Sequence, residues 1–308
     1  MKAHRKEFAV EKMAKTLKVS SSGYYKHINK KESFREKENK ELAYAIKEIH
    51  KQNREVYGSP RIHAILKRQG RNCSRRRVAR IMKNNGIKAK TKRKWKTTTK
   101  ATKDPSRIAP NLINQKFVAK EKNSVWVSDI TYIKTNEGWL YLAATLDLYS
   151  RRVIGLSMDR RMNADLVVRS LNQAVCHRAP KKEPIVHSDR GSQYASTQYK
   201  KYAAKNRIQL SMSSTGNCFD NAAMESFFHT LKTEHVFFQS FVTRDEAVQS
   251  IFEYVEVFYN RKRLHSTLGY LSPCEFEKQQ QLKNQQKNMA DVKFAVFSEE
   301  VKLPVCFV

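Results

Sequence analysis

Three carboxylates set in otherwise apolar segments constrain this chain more than any other feature. Asp129 stands inside the alternating run VWVSDITYI, and Asp189 closes the short apolar run EPIVHSD. Glu225 lies in NAAMESFFHTLKTEHV, where Met224, Phe227, Phe228 and Leu231 recur at helical spacing. A carboxylate in such surroundings costs free energy unless something compensates its charge. Each also has a plain structural reading: Asp129 on the polar face of a strand, Asp189 as a turn residue, Glu225 at the solvent margin of its helix. Taken together they form a set carried by three different elements, and hard divalent cations are held by such oxygen ligands. Two ions ~3.5–4 Å apart can then serve the attacking and leaving oxygens of an in-line phosphoryl displacement. Lys232 follows Glu225 at i+7 on the same helical face, so that face offers a carboxylate for metal and a cation for a neighbouring phosphate.

The pattern around these residues is that of an α/β domain. VWVSDITYI, GWLYLAATLDL and RRVIGLSM predict three consecutive strands of an antiparallel meander. NADLVVRSLNQAVCHRA predicts a helix with Leu166, Val167, Leu171 and Val175 inward, followed by the buried strand EPIVHSD. A helix at about 196–206, a strand at IQLSMS, a loop and the Glu225 helix, capped by Asp220, complete the series. Asp147 ends the second strand as a structural group or a neighbour of the site, and Asp147, Asp220 and Glu234 are left out of the candidate triad. His187, Ser188, Asn221 and His229 are candidates for supporting the carboxylates. Further on, DEAVQSIFEYVEVFYNR predicts a long helix with Val248, Ile251, Phe252 and Val255 apolar. The basic turn after it, with Arg261, Lys262, Arg263 and His265, suits flanking DNA, although packing of Tyr259 and Leu268 explains the aromatics equally well.

Charge is distributed unevenly. The chain of 308 residues carries a net +31, and residues 1–104 hold 32 Lys and Arg against 9 Asp and Glu, a net +23. A basic arm joined to a nearly balanced body implies a polyanionic partner, and nucleic acid is the obvious one. Within the arm, residues 7–29 predict two short helices with Phe8, Val10, Met13 and Leu17 as the apolar stripe and Ser20 to Ser22 as the cap. This is a helix-turn-helix remnant or a plain helical hairpin. Residues 36–86 predict three helices, the first over roughly 37–52 with Leu42, Ile46 and Ile49 on one face. The second starts at YGSP and buries Ile62, Ile65 and Leu66; the third, SRRRVARIMKNNG, is capped by Ser74 and ends at Gly86. In the third, Val78, Ile81 and Met82 point inward while Arg76, Arg80 and Lys83 share the outer face, with Arg75 and Arg77 beside them. Such a helix suits insertion into a DNA groove, against the alternative of a solvated basic face. KAKTKRKWKTTTKATKDPSRIAP is a basic linker in which Trp95 stacks on DNA or anchors the linker to the core.

These words in this order are similar to a known family. WVSDITYI, LDLYSRRVIG, VHSDRGSQY, GNCFDNAAMESFFHTLKTE and YNRKRLHSTLGYLSP resemble the signature of insertion-sequence transposases with a retroviral-integrase-like core, over about Phe8 to Phe276. The resemblance implies a ribonuclease H-like integrase core preceded by an all-α helix-turn-helix DNA-binding region. It implies catalysis by Asp129, Asp189 and Glu225 on two Mg²⁺ or Mn²⁺ ions, with Lys232 and Arg263 joining Arg75, Arg76, Arg77, Arg80 and Lys83 as DNA contacts. The reaction implied is strand cleavage at the inverted ends of a mobile element, freeing a 3′-hydroxyl, and its transfer to target DNA. The implied partners are double-stranded DNA, further copies of the chain on that DNA, and the product of a first reading frame or a fusion with it. The expected boundaries are 1–35 for the short helical segment, 36–87 for the helix-turn-helix domain, 88–112 for the linker, 113–279 for the catalytic core and 280–308 for a tail of unknown role, polar and flexible over QQQLKNQQKNMADVKF and apolar enough to dock over AVFSEEVKLPVCFV.

Other chemistries find less support. The cysteines Cys73, Cys176, Cys218, Cys274 and Cys306 never pair as CxxC, which predicts reduced thiols in a bacterial cytoplasm and no structural zinc. No apolar run of membrane length or secretion signal stands in the sequence, and no GxSxG or P-loop motif offers another mechanism. The rival readings are a non-catalytic regulator, or degenerate remnant, that binds element ends without cutting, and a nuclease for RNA–DNA hybrids.

Overall fold

The computed structural model describes residues 1–29, 31–90, 109–110, 112, 119–213 and 222–300. Trp95, Asp220, Asn221, Cys218 and Cys306, and most of the basic linker, lie outside the described residues.

Two short helices open the chain, α1 (Val10–Thr16) and α2 (Ser21–Ile28), with the Ser20 hydroxyl accepting from the Gly23 N–H at 3.1 Å as the cap of the second. Only Val10 and Ala14 of this pair are buried; Phe8 and Leu17, expected in the stripe, are exposed. The next helix, α3 (Phe34–Gln52), starts three residues earlier than its apolar pattern suggests. A capping box explains the extension, since Ser33 and Glu36 satisfy each other's backbone N–H groups. Then α4 (Ser59–Arg68) follows, and α5 (Arg75–Asn84) is capped by Ser74. Leu42, Ile46, Ile49, Ile62, Leu66, Val78, Ile81 and Met82 interlock the three helices.

The larger part is a five-stranded sheet in the order β3-β2-β1-β4-β5, with β1 at Val125–Thr135, β2 at Gly138–Asp147, β3 at Val153–Asp159, β4 at Ile185–Ser188 and β5 at Gln209–Met212. The first three strands form the expected antiparallel meander, and β4 and β5 add in parallel. One face packs on α6 (Ala164–Arg178) and α7 (Thr197–Lys205), with Trp126, Ile154 and Val186 against Leu166, Leu171 and Tyr199. The approach of α6 to β3 is very close: a Cβ on Gly155 would stand 2.0 Å from the Ser170 carbonyl oxygen, so only glycine fits there. The other face packs on α8 (Ala222–Glu234) through Phe227, Phe228 and Leu231.

Past α8, the expected long helix divides. α9 (Arg244–Glu253) gives way to a π-helical turn over Tyr254–Tyr259, whose extra residue per turn lets Tyr254, Val255, Phe258 and Tyr259 all be buried, while Phe252 on α9 is left exposed. α10 (Pro273–Glu300) then runs well beyond Gln279, so the first part of the expected flexible tail is helix. Its Gln, Lys, Leu and Met residues are good helix formers, which a reading for polarity alone overlooks. Residues 301–308 lie outside the described residues. No helix among the described residues is long and apolar enough to cross a membrane.

The helical unit of α3–α5 shares one continuous apolar core with α8 and the π-turn, and polar contacts fasten the seam. The Tyr57 hydroxyl donates to the Lys262 carbonyl at 3.2 Å and accepts from the Leu264 N–H at 2.8 Å. The Arg54 guanidinium donates to Glu253 and lies over the rings of Tyr254 and Phe258. Arg61 donates to the Leu264 carbonyl at 2.9 Å.

Candidate active site

The sheet register places the two aspartates. Parallel pairing of β1 with β4 ends at Val127 opposite His187, so two residues further along Asp129, in the middle of β1, and Asp189, just past the carboxyl end of β4, come side by side. There the strands part and Gly191 turns the chain away, opening a cavity of about 620 Å³ lined by both aspartates with Tyr132, Trp139, Met162 and Gln193. The carboxyl end of a parallel strand, here β4, is where α/β sheets place their ligand crevices. A side chain on Gly191 would press within 2.9 Å of the Asp189 carboxylate, which explains the glycine.

Burial disfavours the charged form of both groups. It raises the Asp129 carboxyl to about 8, with the neighbouring charge of Asp189 and then that of Glu225 pushing the same way, while the Ile130 N–H and Lys232 oppose. The Ile130 N–H donates to the Asp129 Oδ1 at 2.7 Å. Asp189 is raised by burial, against the Gly191 N–H donated to its Oδ1 at 2.9 Å. Glu225, in the first turn of α8, is also raised by burial. It is absent from the cavity wall that the aspartates share, and its charge reaches Asp129 from the side. Two turns on, the Lys232 Nζ lies 5.1 Å from the centre of the Tyr132 ring; burial lowers its pKa and the Asp129 charge supports the ammonium.

The donor set matches a hard divalent cation in kind: burial first, and then the charge of Asp189, disfavour ionisation of Asp129, an effect that a cation among these carboxylates would oppose. Among the described residues, no three His, Cys, Asp or Glu side chains converge tightly enough to enclose an ion. One oxygen of each aspartate accepts from a backbone N–H, which leaves the other oxygen of each for a ligand.

Supporting groups surround the pair. Tyr194, which the sequence reading passes over, packs behind β1, with its hydroxyl 3.1 Å from the Ser128 Oγ and its pKa raised by burial and by Asp129. His187 is buried, with its ring nitrogens against the hydroxyls of Ser211 at 2.8 Å and Ser213 at 3.3 Å, tying β4 to β5 beneath Asp189. The buried Ser188 hydroxyl donates to the Asp189 carbonyl at 3.0 Å, whereas His229 is exposed. Asp147 has a structural role: it accepts from the Asn123 and Tyr149 N–H groups at 3.1 Å each, beside Arg178.

The basic candidates divide. Arg75, Arg76, Arg80 and Lys83 are exposed along α5. Arg77 is turned back to α3, donating to Glu38 at 2.8 Å and Asn39 at 2.9 Å. Arg263 corrects the expectation of a DNA-facing residue. It is only 5% exposed and grips both carboxylate oxygens of Glu234, because a buried guanidinium needs its carboxylate and α8 supplies one. His265 is half-buried against Tyr259, and burial with the nearby Arg263, Arg61 and Arg151 lowers it to about 2.

A five-stranded sheet with two aspartates side by side where β4 ends beside β1, joined to a basic three-helix unit, defines a nucleic-acid-processing enzyme of the integrase-core class. Two integrase core domain families match residues 119–218 and 225–281, and an HTH-like domain family matches residues 36–95. The 31 kDa protein of insertion element IS600 from Shigella sonnei is 42% identical over 264 residues, 86% of this chain and 97% of that one. The transposase InsF of insertion sequence IS3A from Escherichia coli K12 is 38% identical over 277 residues, 89% of this chain and 96% of that one. Among solved structures, the HTLV-2 integrase catalytic core domain in complex with magnesium aligns with a TM-score of 0.41 at 14% identity, over 51% of this chain and 98% of that one. The chain belongs to the IS3-type insertion-sequence transposases. It is a DNA transposase of the DDE type, a polynucleotidyl transferase that cleaves and transfers strands at the ends of a mobile element.

Proposed function

We propose that Asp129, Asp189 and Glu225 are the catalytic and metal-holding carboxylates of this transposase. The observation that carries the reading is the β1–β4 register, which sets Asp129 and Asp189 side by side at the mouth of one cavity. Glu225 comes to them from α8, and its charge already acts on Asp129. When bound, Mg²⁺ or Mn²⁺, as two ions, supplies charge neutralisation at the phosphate oxygens of the bond being exchanged. The chain's own part is position: the aspartates and Glu225 would hold the ions that receive the scissile phosphate, and Lys232 holds a neighbouring phosphate of the element end. The freed 3′-hydroxyl is then joined to target DNA by transesterification, a phosphodiester bond forming as another breaks.

Recognition of the terminal inverted repeats falls to α5, with Arg75, Arg76, Arg80 and Lys83 toward DNA and Arg77 holding the helix in place. The organisation that serves this is a helix-turn-helix domain over 36–87, preceded by the helical segment 1–35, and a catalytic core over 113–279. The working assembly is a homo-oligomer on DNA, at the nucleoid in the bacterial cytoplasm, with the first-reading-frame product, alone or fused, as a further partner. An end-binding regulator is not favoured, since it has no use for the paired aspartates.

The test is nicking and joining of a labelled element-end duplex in Mg²⁺, comparing wild type with Glu225→Gln at equal DNA occupancy. Product lost while binding persists supports the assignment. Product retained by Glu225→Gln sinks it.

A further inference from the structure

Helix α8 borders a second cavity, of about 470 Å³, on a different stripe of its surface from Glu225 and Lys232. Three guanidinium groups line it, each from a different part of the chain: Arg61 from α4, Arg151 from the turn between β2 and β3, and Arg263 from the segment after the π-turn. Thr230 on α8 and the exposed Ser266 and Thr267 add hydroxyls to the wall and rim.

The charges there do not balance. Glu234 is the carboxylate bonded to these arginines, with both oxygens taken by Arg263 at 2.7 Å and one approached by Arg61 at 3.4 Å. Arg151 has no ion pair among the described residues, and burial lowers its pKa with only the Tyr259 hydroxyl opposing. The field of all three reaches His265 in the same wall, where it adds to burial in keeping the imidazole neutral. Partly desolvated guanidinium groups without a counter-charge are costly, and a phosphate oxygen is the ligand their forked donors match best.

We propose that this cavity seats a backbone phosphate of DNA, held by Arg151 together with the outward N–H groups of Arg61 and the hydroxyls of Ser266 and Thr267. The inference rests on the chain being a DNA transposase and is independent of which carboxylates do the chemistry. Because Arg61 belongs to the helix-turn-helix unit and Arg151 to the catalytic core, one phosphate contacts both. The seat lies along α8 from Glu225, so a strand bound there runs past the helix that carries the third carboxylate.

The experiment is equilibrium binding of a labelled short duplex over a series of salt concentrations, in EDTA, so that catalysis plays no part. Phosphate contacts carry no sequence information, so any duplex serves. Arg151 sits at φ +60, which asparagine tolerates, so the variant is Arg151→Asn. The expected result is several-fold weaker binding with a salt slope shallower by about 0.9, the release of one phosphate contact. Arg151→Lys retains the slope. Thr267→Glu, at an exposed rim position, places an anion in the mouth and is expected to weaken binding similarly, which covers the case that Arg151→Asn misfolds. An unchanged slope and affinity in folded Arg151→Asn, or in Thr267→Glu, overturns the proposal. So does loss in Arg151→Asn of thermal stabilisation by inorganic phosphate alone with DNA binding intact, which would mark a site for a free anion.

Discussion

Arg263 holds both carboxylate oxygens of Glu234 at 2.7 Å, inside the seam between α8 and the segment that follows the π-turn. The pair is an internal fastening, and Tyr254 adds its hydroxyl to the same carboxylate at 3.2 Å. Removing the guanidinium strands a buried charge. Arg263→Ala is therefore expected to lose about 3–5 kcal/mol of unfolding free energy, measured by urea titration. A loss within about 0.5 kcal/mol, the range of ordinary surface substitutions, would show that the pair is not a fastening.

Tyr57→Phe keeps the ring and deletes a hydroxyl that donates to the Lys262 carbonyl and accepts from the Leu264 N–H. The Leu264 N–H is left without its partner, at a cost of about 1–3 kcal/mol. Hydrogen exchange at Leu264 should accelerate in the variant; unchanged protection contradicts the role given to Tyr57.

Gly155→Ala forces a methyl group against the Ser170 carbonyl at 2.0 Å. Backbone cannot yield as a side-chain tip does, so β3 and α6 must separate. The expectation is a loss of at least about 1–3 kcal/mol, seen as a lower midpoint in chemical denaturation.

Glu277, on α10, is 7% exposed and accepts from the Ser150 hydroxyl at 2.6 Å and from Arg178. Despite burial, Arg178 and these partners hold its carboxyl down to about 2, against an ordinary 4.5. A depressed folded-state pKa contributes stability that is present above the unfolded value and lost as pH falls through the folded one. The contribution, on the order of 3 kcal/mol, should therefore fade between about pH 4.5 and pH 2. In Glu277→Gln, stability measured across that window should depend less steeply on pH than in wild type.

Asp129 carries the opposite sign. Its carboxyl is raised to about 8, so its ionisation opposes folding increasingly as pH rises from 3.8 toward 8. Asp129→Asn is expected to raise the melting temperature at neutral pH in EDTA while abolishing strand transfer. Added Mg²⁺ should stabilise wild type and leave the variant unmoved; equal stabilisation of both would contradict a metal-holding role for Asp129.

The antiparallel meander, the caps at Ser20 and Ser74 and the interlocked helices α3–α5 were legible because local periodicity and capping chemistry determine them. The pairing of Asp129 with Asp189 was legible only as a set, since the register that joins them depends on pairing between strands 60 residues apart in sequence. Arg263 and Arg77 were misread for a common reason. A guanidinium on a basic stretch looks the same whether it faces solvent or a carboxylate, and Glu234 and Glu38 come close only in three dimensions. The π-turn also defeats a 3.6-residue template, which is why one long helix was expected where α9 gives way at Tyr254. Tyr194 left no signal, its role being set by burial behind β1.

The seam built by Tyr57, Arg54 and Arg61 has a bearing on how such elements can diversify. A recognition module on a free tether could be exchanged between lineages with its chemistry untouched. Here the unit that faces DNA and the unit that cuts it are keyed to each other by buried hydrogen bonds and one common interior. If α5 reads the element ends as proposed, a change in the end sequence can be met on its outer surface, where Arg75, Arg76, Arg80 and Lys83 are exposed and can change without disturbing the lock behind them.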